Sequence, residues 1–173
     1  DPSSTIAPVV ISELLTHTDL PQVDTIELHN PTASPVNIGG WFLTDNQDVP
    51  KKFRIPNGTT IGAGGYVTFN QNQYDTNGLD FNLNSLGDEV YLFSGNASSN
   101  LTGYVHGTPF GASENGVSFR RYVNSIGNED FVAAAALTLG TNNSRPLVGP
   151  VVISEIMFQP PPLGTNENYE AEF

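Results

Sequence analysis

Asp45, Asn46 and Asp48 fall within four residues and carry the hard oxygen ligands that calcium takes. A calcium loop needs a longer, closed ligand series, and the same residues equally suit an Asx-type turn with Asp45 bonding the backbone. The three histidines, His17, His29 and His106, are too widely separated to form a ligand spacing, and each is expected on a strand face or rim. Ser12, Ser118 and Ser154 stand in no Gly-x-Ser-x-Gly context, so no nucleophile elbow is available. Glu13 and Glu27 lie on strands expected to be neighbours and could copy a glycosidase carboxylate pair. The commoner arrangement is two exposed carboxylates on a sheet. Lys51, Lys52 and Arg54 form one cationic cluster and Arg120-Arg121 another. They either meet as a small basic patch or locally neutralise Asp45 and Asp48, and such surface pairs add little stability. Tyr66, Tyr91, Phe93 and Tyr122 are candidates for outward faces that offer a platform to carbohydrate or peptide. The plainer reading packs them under loops. No catalytic site is legible, and the chain reads as a non-enzyme.

The elements that would hold these residues are short strands. Ile26 to Phe69 alternates apolar and polar residues between strong turn signals, Pro56-Asn57-Gly58 and Gly64-Gly65 among them. In this stretch Ile26 and Leu28 point inward and Glu27 outward. Trp41, the single Trp, shares a face with Leu43, and Val67 shares one with Phe69. Strands are expected at 9–15, 24–29, 36–38, 41–44, 53–55, 66–69, 89–94, 101–106, 117–122 and 131–136, with an extended stretch at 79–83. The segments 70–78 and 107–116 read as polar loops, 85–88 and 96–100 as turns. Only Ala133 to Ala136 offers a short helix.

Composition agrees. The chain has 173 residues, 38% hydrophobic, with 17 Gly, 13 Pro and no Cys. That suits one all-β domain, alone or with a fragment of another, rich in loops and without disulfide or thiolate chemistry. Six basic residues stand against 18 acidic ones, for a net charge of −12. Such a surface repels phosphate backbones, so nucleic-acid binding is not expected. No apolar run reaches the roughly 20 residues of a membrane helix, so membrane insertion is not expected either. Few Lys with many Asn, Gly, Ser and Thr is the composition of a secreted bacterial protein. Asp1 is not a native initiator, which fits removal of an export signal.

A repeat cuts across this pattern. Pro8-Val9-Val10-Ile11-Ser12-Glu13-Leu14 recurs as Pro150-Val151-Val152-Ile153-Ser154-Glu155-Ile156, six of seven positions identical at a spacing of 142 residues (150 − 8). The reading is a tandem array. Residues 1–7 form an N-terminal arm, 8–144 one whole unit, and 145–173 a linker with the first strand of a second, truncated unit. That strand, Val151 to Met157, lacks its own partners and is expected to self-associate with another copy.

The order of motifs resembles the lamin tail domain, found at the tail of nuclear lamins and in many bacterial secreted proteins. The matching residues are Ile26-Glu27-Leu28-His29-Asn30, Gly39-Gly40-Trp41-Phe42-Leu43-Thr44-Asp45, Ile55-Pro56 through Ala63-Gly64-Gly65-Tyr66, Leu86 through Leu92, and Gly116-Val117-Ser118-Phe119-Arg120-Arg121. The resemblance runs from about Val9 to Asn143. It departs at Leu139, where the family often has Pro in a Thr-Pro-Gly turn, and at Arg120, where many members have Gly. It implies an immunoglobulin-like β-sandwich and no catalytic residues. The expected function is a non-catalytic module of an exported or surface-attached multidomain protein, extracellular or at the cell surface, acting in adhesion, spacing or tethering. Its partner would be a protein or a surface polymer. The alternative is a carbohydrate- or calcium-binding accessory module of a secreted hydrolase. Calcium at Asp45, Asn46 and Asp48 is the sole cofactor considered.

Overall fold

The computed structural model describes residues 6–76 and 81–149. Val151 to Met157, and with it the second copy of the repeat, lies outside the described residues. The strands are β1 (Val10–Leu15), β2 (Thr25–His29), β3 (Val36–Asn37), β4 (Phe42–Thr44), β5 (Phe53–Arg54), β6 (Thr60–Ile61), β7 (Tyr66–Asn70), β8 (Asp88–Gly95), β9 (Leu101–Phe110), β10 (Phe119–Val123) and β11 (Glu129–Ala133). A single-turn helix, α1 (Gln71–Tyr74), follows β7.

Two antiparallel sheets form the sandwich, one ordered β11-β10-β1-β2-β7 and the other β5-β4-β8-β9, with β3 and β6 as a small separate pair. Between them lie Ile11, Leu14, Ile26, Leu28, Leu43, Val90, Leu92, Phe69 and Phe119. Each strand contributes alternate residues to this core because successive side chains of a strand point to opposite faces. Trp41 immediately precedes β4, is 5% exposed, and packs its ring 5.9 Å from that of Tyr104. The core is therefore the expected one, with Trp41 and Leu43 inside it and Val67 packed against it beside Phe69.

Several local expectations are corrected. The 70–78 loop contains α1, because the Asn70 backbone N–H takes the Gln73 side chain in a capping arrangement and Tyr74 is buried, stacked 4.6 Å from Phe81. Phe81 and Leu83 are buried without forming a strand. The short strand β6 was not expected. Strand β9 runs on to Phe110 where a loop was expected from Gly107. A Cβ at Gly107 would stand 2.2 Å from the Tyr91 ring; the glycine lets that ring cross the ladder. Phe131 to Ala133 is strand, and Ala134 bridges to Pro146, so no helix forms at 133–136. The chain stays bonded to this end of β11 as far as Leu147, whose N–H meets the Ala133 carbonyl.

The largest correction concerns β1 and β2. Alternation predicts one wet face, yet every residue of β1 and all of β2 except His29 are buried. The segment from Thr138 to Asn143 crosses the outer face of the five-stranded sheet and covers part of it.

Candidate functional site

The covered part of that face is built around Glu13 and Glu27. They are register partners, and Ser12 is the extra residue of a bulge between Ile11 and Glu13. Strict alternation would put Glu13 on the inner face with Ile11. The bulge turns it outward beside Ser12. Both glutamates are 0% exposed, where two exposed carboxylates were expected. Ser118 Oγ donates to Glu13 Oε1 at 2.5 Å. Thr138 donates its backbone N–H to both Glu13 oxygens, at 3.1 and 3.2 Å, and its hydroxyl to Oε2 at 2.9 Å. Ser12 Oγ donates to Glu27 Oε1 at 2.6 Å, and the Gly140 N–H donates to Glu27 Oε2.

Burial pushes the Glu27 pKa up, opposed by the Gly140 and Ser12 hydrogen bonds and assisted by the neighbouring Glu13 charge. A glycosidase pair needs a sugar and a water between its carboxyl groups. Here the chain's own donors occupy that place, and the pair fastens the closing turn to the sheet. Thr138 and Gly140 supply those donors while Leu139 supplies none of these bonds. A residue other than Pro is therefore accommodated at position 139.

The same face has an open end. A cleft of about 350 Å³ is lined by His29, Tyr66, Arg120, Tyr122, Asn142 and Asn143, among others. His29 and Tyr66, opposite one another on β2 and β7, stack at 4.5 Å and 15°. Tyr66 donates its hydroxyl to Asn142 Oδ1 at 2.7 Å. Asn143 Nδ2 donates to the Ser12 carbonyl at 2.9 Å, while its buried Oδ1 has no partner. Arg120 lies 5.7 Å from the Tyr122 ring, and among the described residues its buried Nε, like Asn143 Oδ1, has no partner. Burial, then the positive charge of Arg121, lowers the His29 pKa. Of the outward aromatics expected, Tyr66 and Tyr122 line this cleft, while Tyr91 and Phe93 are half-buried. Asn143 carried no signal in the sequence. Arg120 carried one, as a departure from the family pattern.

The other candidates are dispersed. Asp45 pairs with Lys52 at 2.5 Å. The Asx turn is made by Asn46 instead, whose Oδ1 accepts from the Asp48 N–H at 2.8 Å. Lys51 donates to the Ser99 carbonyl, and Arg54 to Asn57 and the Ala97 carbonyl. The two cationic clusters belong to different sheets, so no joint patch forms. His17 bonds the Ser113 carbonyl at 2.8 Å. His106 accepts the Ile11 N–H at Nδ1, 3.1 Å. Its ring proton is thereby placed on Nε2, 2.9 Å from Glu129 Oε2. Arg121 also holds Glu129. These contacts, Arg121 first, bring the Glu129 pKa down to about 2, while burial lowers that of His106. Among the described residues no group of three or more His, Cys, Asp and Glu could hold a metal. Nor does any helix there have the length and apolarity to cross a membrane.

The family model of the lamin tail domain matches residues 2–106. No curated protein and no solved structure matches the chain. The matched span holds β1 to β8 and most of β9, with Trp41 and Glu27, and β10 and β11 complete the five-stranded sheet. The lamin tail domain is a non-catalytic, immunoglobulin-like module, which agrees with a carboxylate pair used as a fastening. The chain belongs to the lamin tail domain family.

Proposed function

We propose that this domain is a spacing and tethering unit in a tandem array of an exported or surface-attached protein, with a protein or surface polymer as partner. The observation that carries this is the recurrence of Val-Val-Ile-Ser-Glu at 151–155. A chance apolar strand would repeat the valines. It would not repeat Ser12 and Glu13, whose side chains serve only to tie neighbouring segments to a folded unit. Ser154 and Glu155 are therefore the counterparts, in sequence, of Ser12 and Glu13.

The junction supports spacing. In this alignment Val151 matches Val9, and only Val148, Gly149 and Pro150 separate it from Leu147, the last residue paired to β11. Four steps of extended chain reach at most about 14 Å, so successive units would sit close together. Limited proteolysis of the native protein from its source tests this, with fractionation of the cells. The expected result is a ladder of fragments about 142 residues apart (150 − 8), recovered from the medium or the cell surface. A single domain released from an unrelated neighbour, or recovery from the cytoplasm, overturns it.

A further inference from the structure

We infer that the open cleft on the outer face of the five-stranded sheet binds a carboxylate-bearing sugar, such as a uronate residue of an acidic polysaccharide. The inference names a polymer for the tethering reading and rests on that reading only for its biological setting. The array is tested by fragment spacing, so one idea can fail without the other.

Three observations converge. First, Arg120 lines the cleft and, although it stands opposite Glu13 across β1 and β10, it makes no ion pair among the described residues, in a chain of 18 acidic and 6 basic residues. Lys52 and Arg121 are each paired to a carboxylate; Lys51, Arg54 and Arg145 are without an ion pair among the described residues, as Arg120 is, but of these four only Arg120 lines this cleft. An arginine left unpaired amid so much negative charge is set to receive an anion, and its planar fork suits a carboxylate. Second, Asn142 and Asn143 line the same cleft, and Asn143 Oδ1 has no partner among the described residues. Inorganic phosphate or a simple carboxylate would satisfy Arg120 and leave the Asn142 and Asn143 side chains of the cleft wall unused. A ligand bearing both a carboxylate and hydroxyls has partners for the Arg120 guanidinium and for the side-chain amides of the cleft wall together. Third, the wall is the stacked pair His29 and Tyr66, fixed by the Tyr66 hydroxyl on Asn142. Such a ring pair offers a flat apolar surface to the C–H face of a pyranose, and about 350 Å³ is the scale of a small-ligand site.

The test is an amide chemical-shift titration of the full chain with sodium galacturonate, galactose, inorganic phosphate and N-acetyl-glutamate amide. Saturable shifts clustered at His29, Tyr66 and Asn143 are expected with galacturonate and not with galactose. Arg120→Gln is expected to weaken galacturonate binding tenfold or more while the protein still melts cooperatively close to the wild-type midpoint. Arg120→Lys, which keeps the charge without the fork, should fall between. The proposal is overturned if galacturonate causes no clustered shifts, or if galactose binds equally well. It is also overturned if phosphate or the glutamate derivative binds as tightly, which would make the cleft a general anion or acidic-peptide site. Undiminished binding in both Arg120 variants overturns it as well.

Discussion

Two adjoining regions of one sheet face, which meet where Glu13 stands opposite Arg120, treat charge in opposite ways. At the closed end Glu13 and Glu27 are wholly buried, and serine, threonine and backbone donors of the same chain surround them. At the open end, on the same strands and their neighbours, Arg120 and Asn143 keep unpartnered atoms beside a cleft. The difference follows from the closing segment, which presents donors at Thr138 and Gly140 and then ends its cover at Asn142 and Asn143. A buried polar group fully satisfied by its own chain is a fastening. A cation on a cleft wall with no carboxylate partner is a place for something else.

The core sets the scale against which this contrast is measured. Replacing Trp41 by Ala should cost about 3–5 kcal/mol, the range for a large buried aromatic, read as a fall in denaturation midpoint. An unchanged midpoint would make Trp41 a surface residue and discard the inner face as reference. Glu13→Ala should approach that loss, about 3 kcal/mol, because three donors on Ser118 and Thr138 would be stranded together. Arg120→Gln at the open end should cost about 0.5 kcal/mol or less. Similar losses for the two would erase the distinction between fastening and free site.

A smaller effect should appear on acidification. The His106 pKa is depressed below its ordinary 6.5 by burial, and the Glu129 pKa lies near 2 against 4.5, with Arg121 the main cause. A group whose folded pKa is depressed stabilises the fold above its unfolded pKa and loses that contribution as pH falls. The His106 share is therefore lost as pH drops below 6.5, and the Glu129 share between 4.5 and about 2. Glu27, raised by burial, runs the other way: its share is present below 4.5 and fades as pH rises through its folded value. A difference between proteins isolates the histidine. His106→Asn should show a smaller drop in melting temperature from pH 7 to pH 5 than the wild type. An equal drop would remove His106 as a contributor.

The smallest effect is expected from calcium. Asp45 is engaged with Lys52 and Asn46 with the Asp48 backbone. Thermal melts with calcium and with chelator should give the same midpoint, since a ligand that binds the folded state must raise it. A rise with calcium would show that the Asp45–Lys52 pair yields to a metal and would add a second ligand site, on the other sheet.

The motif resemblance pointed to the two-layer sandwich, while alternation along Ile26 to Phe69, and at Val90 and Leu92, determined by itself the strands and their inner faces. Those depend on which residues share a face within one strand, a property local in sequence. Brief elements escaped it: β6 has two residues and α1 four, too few to show a period. Gly107 read as a loop because its reason for being glycine is the ring of Tyr91 on the next strand. The fate of the outer face was not local at all. Glu13 is bonded by Thr138, 125 residues away, and Glu27 by Gly140, 113 away. Alternation reports that a side chain leaves the core. Whether it then meets water, a donor or an empty cleft is set by segments that arrive from the far end of the chain, so only the tertiary structure decided it.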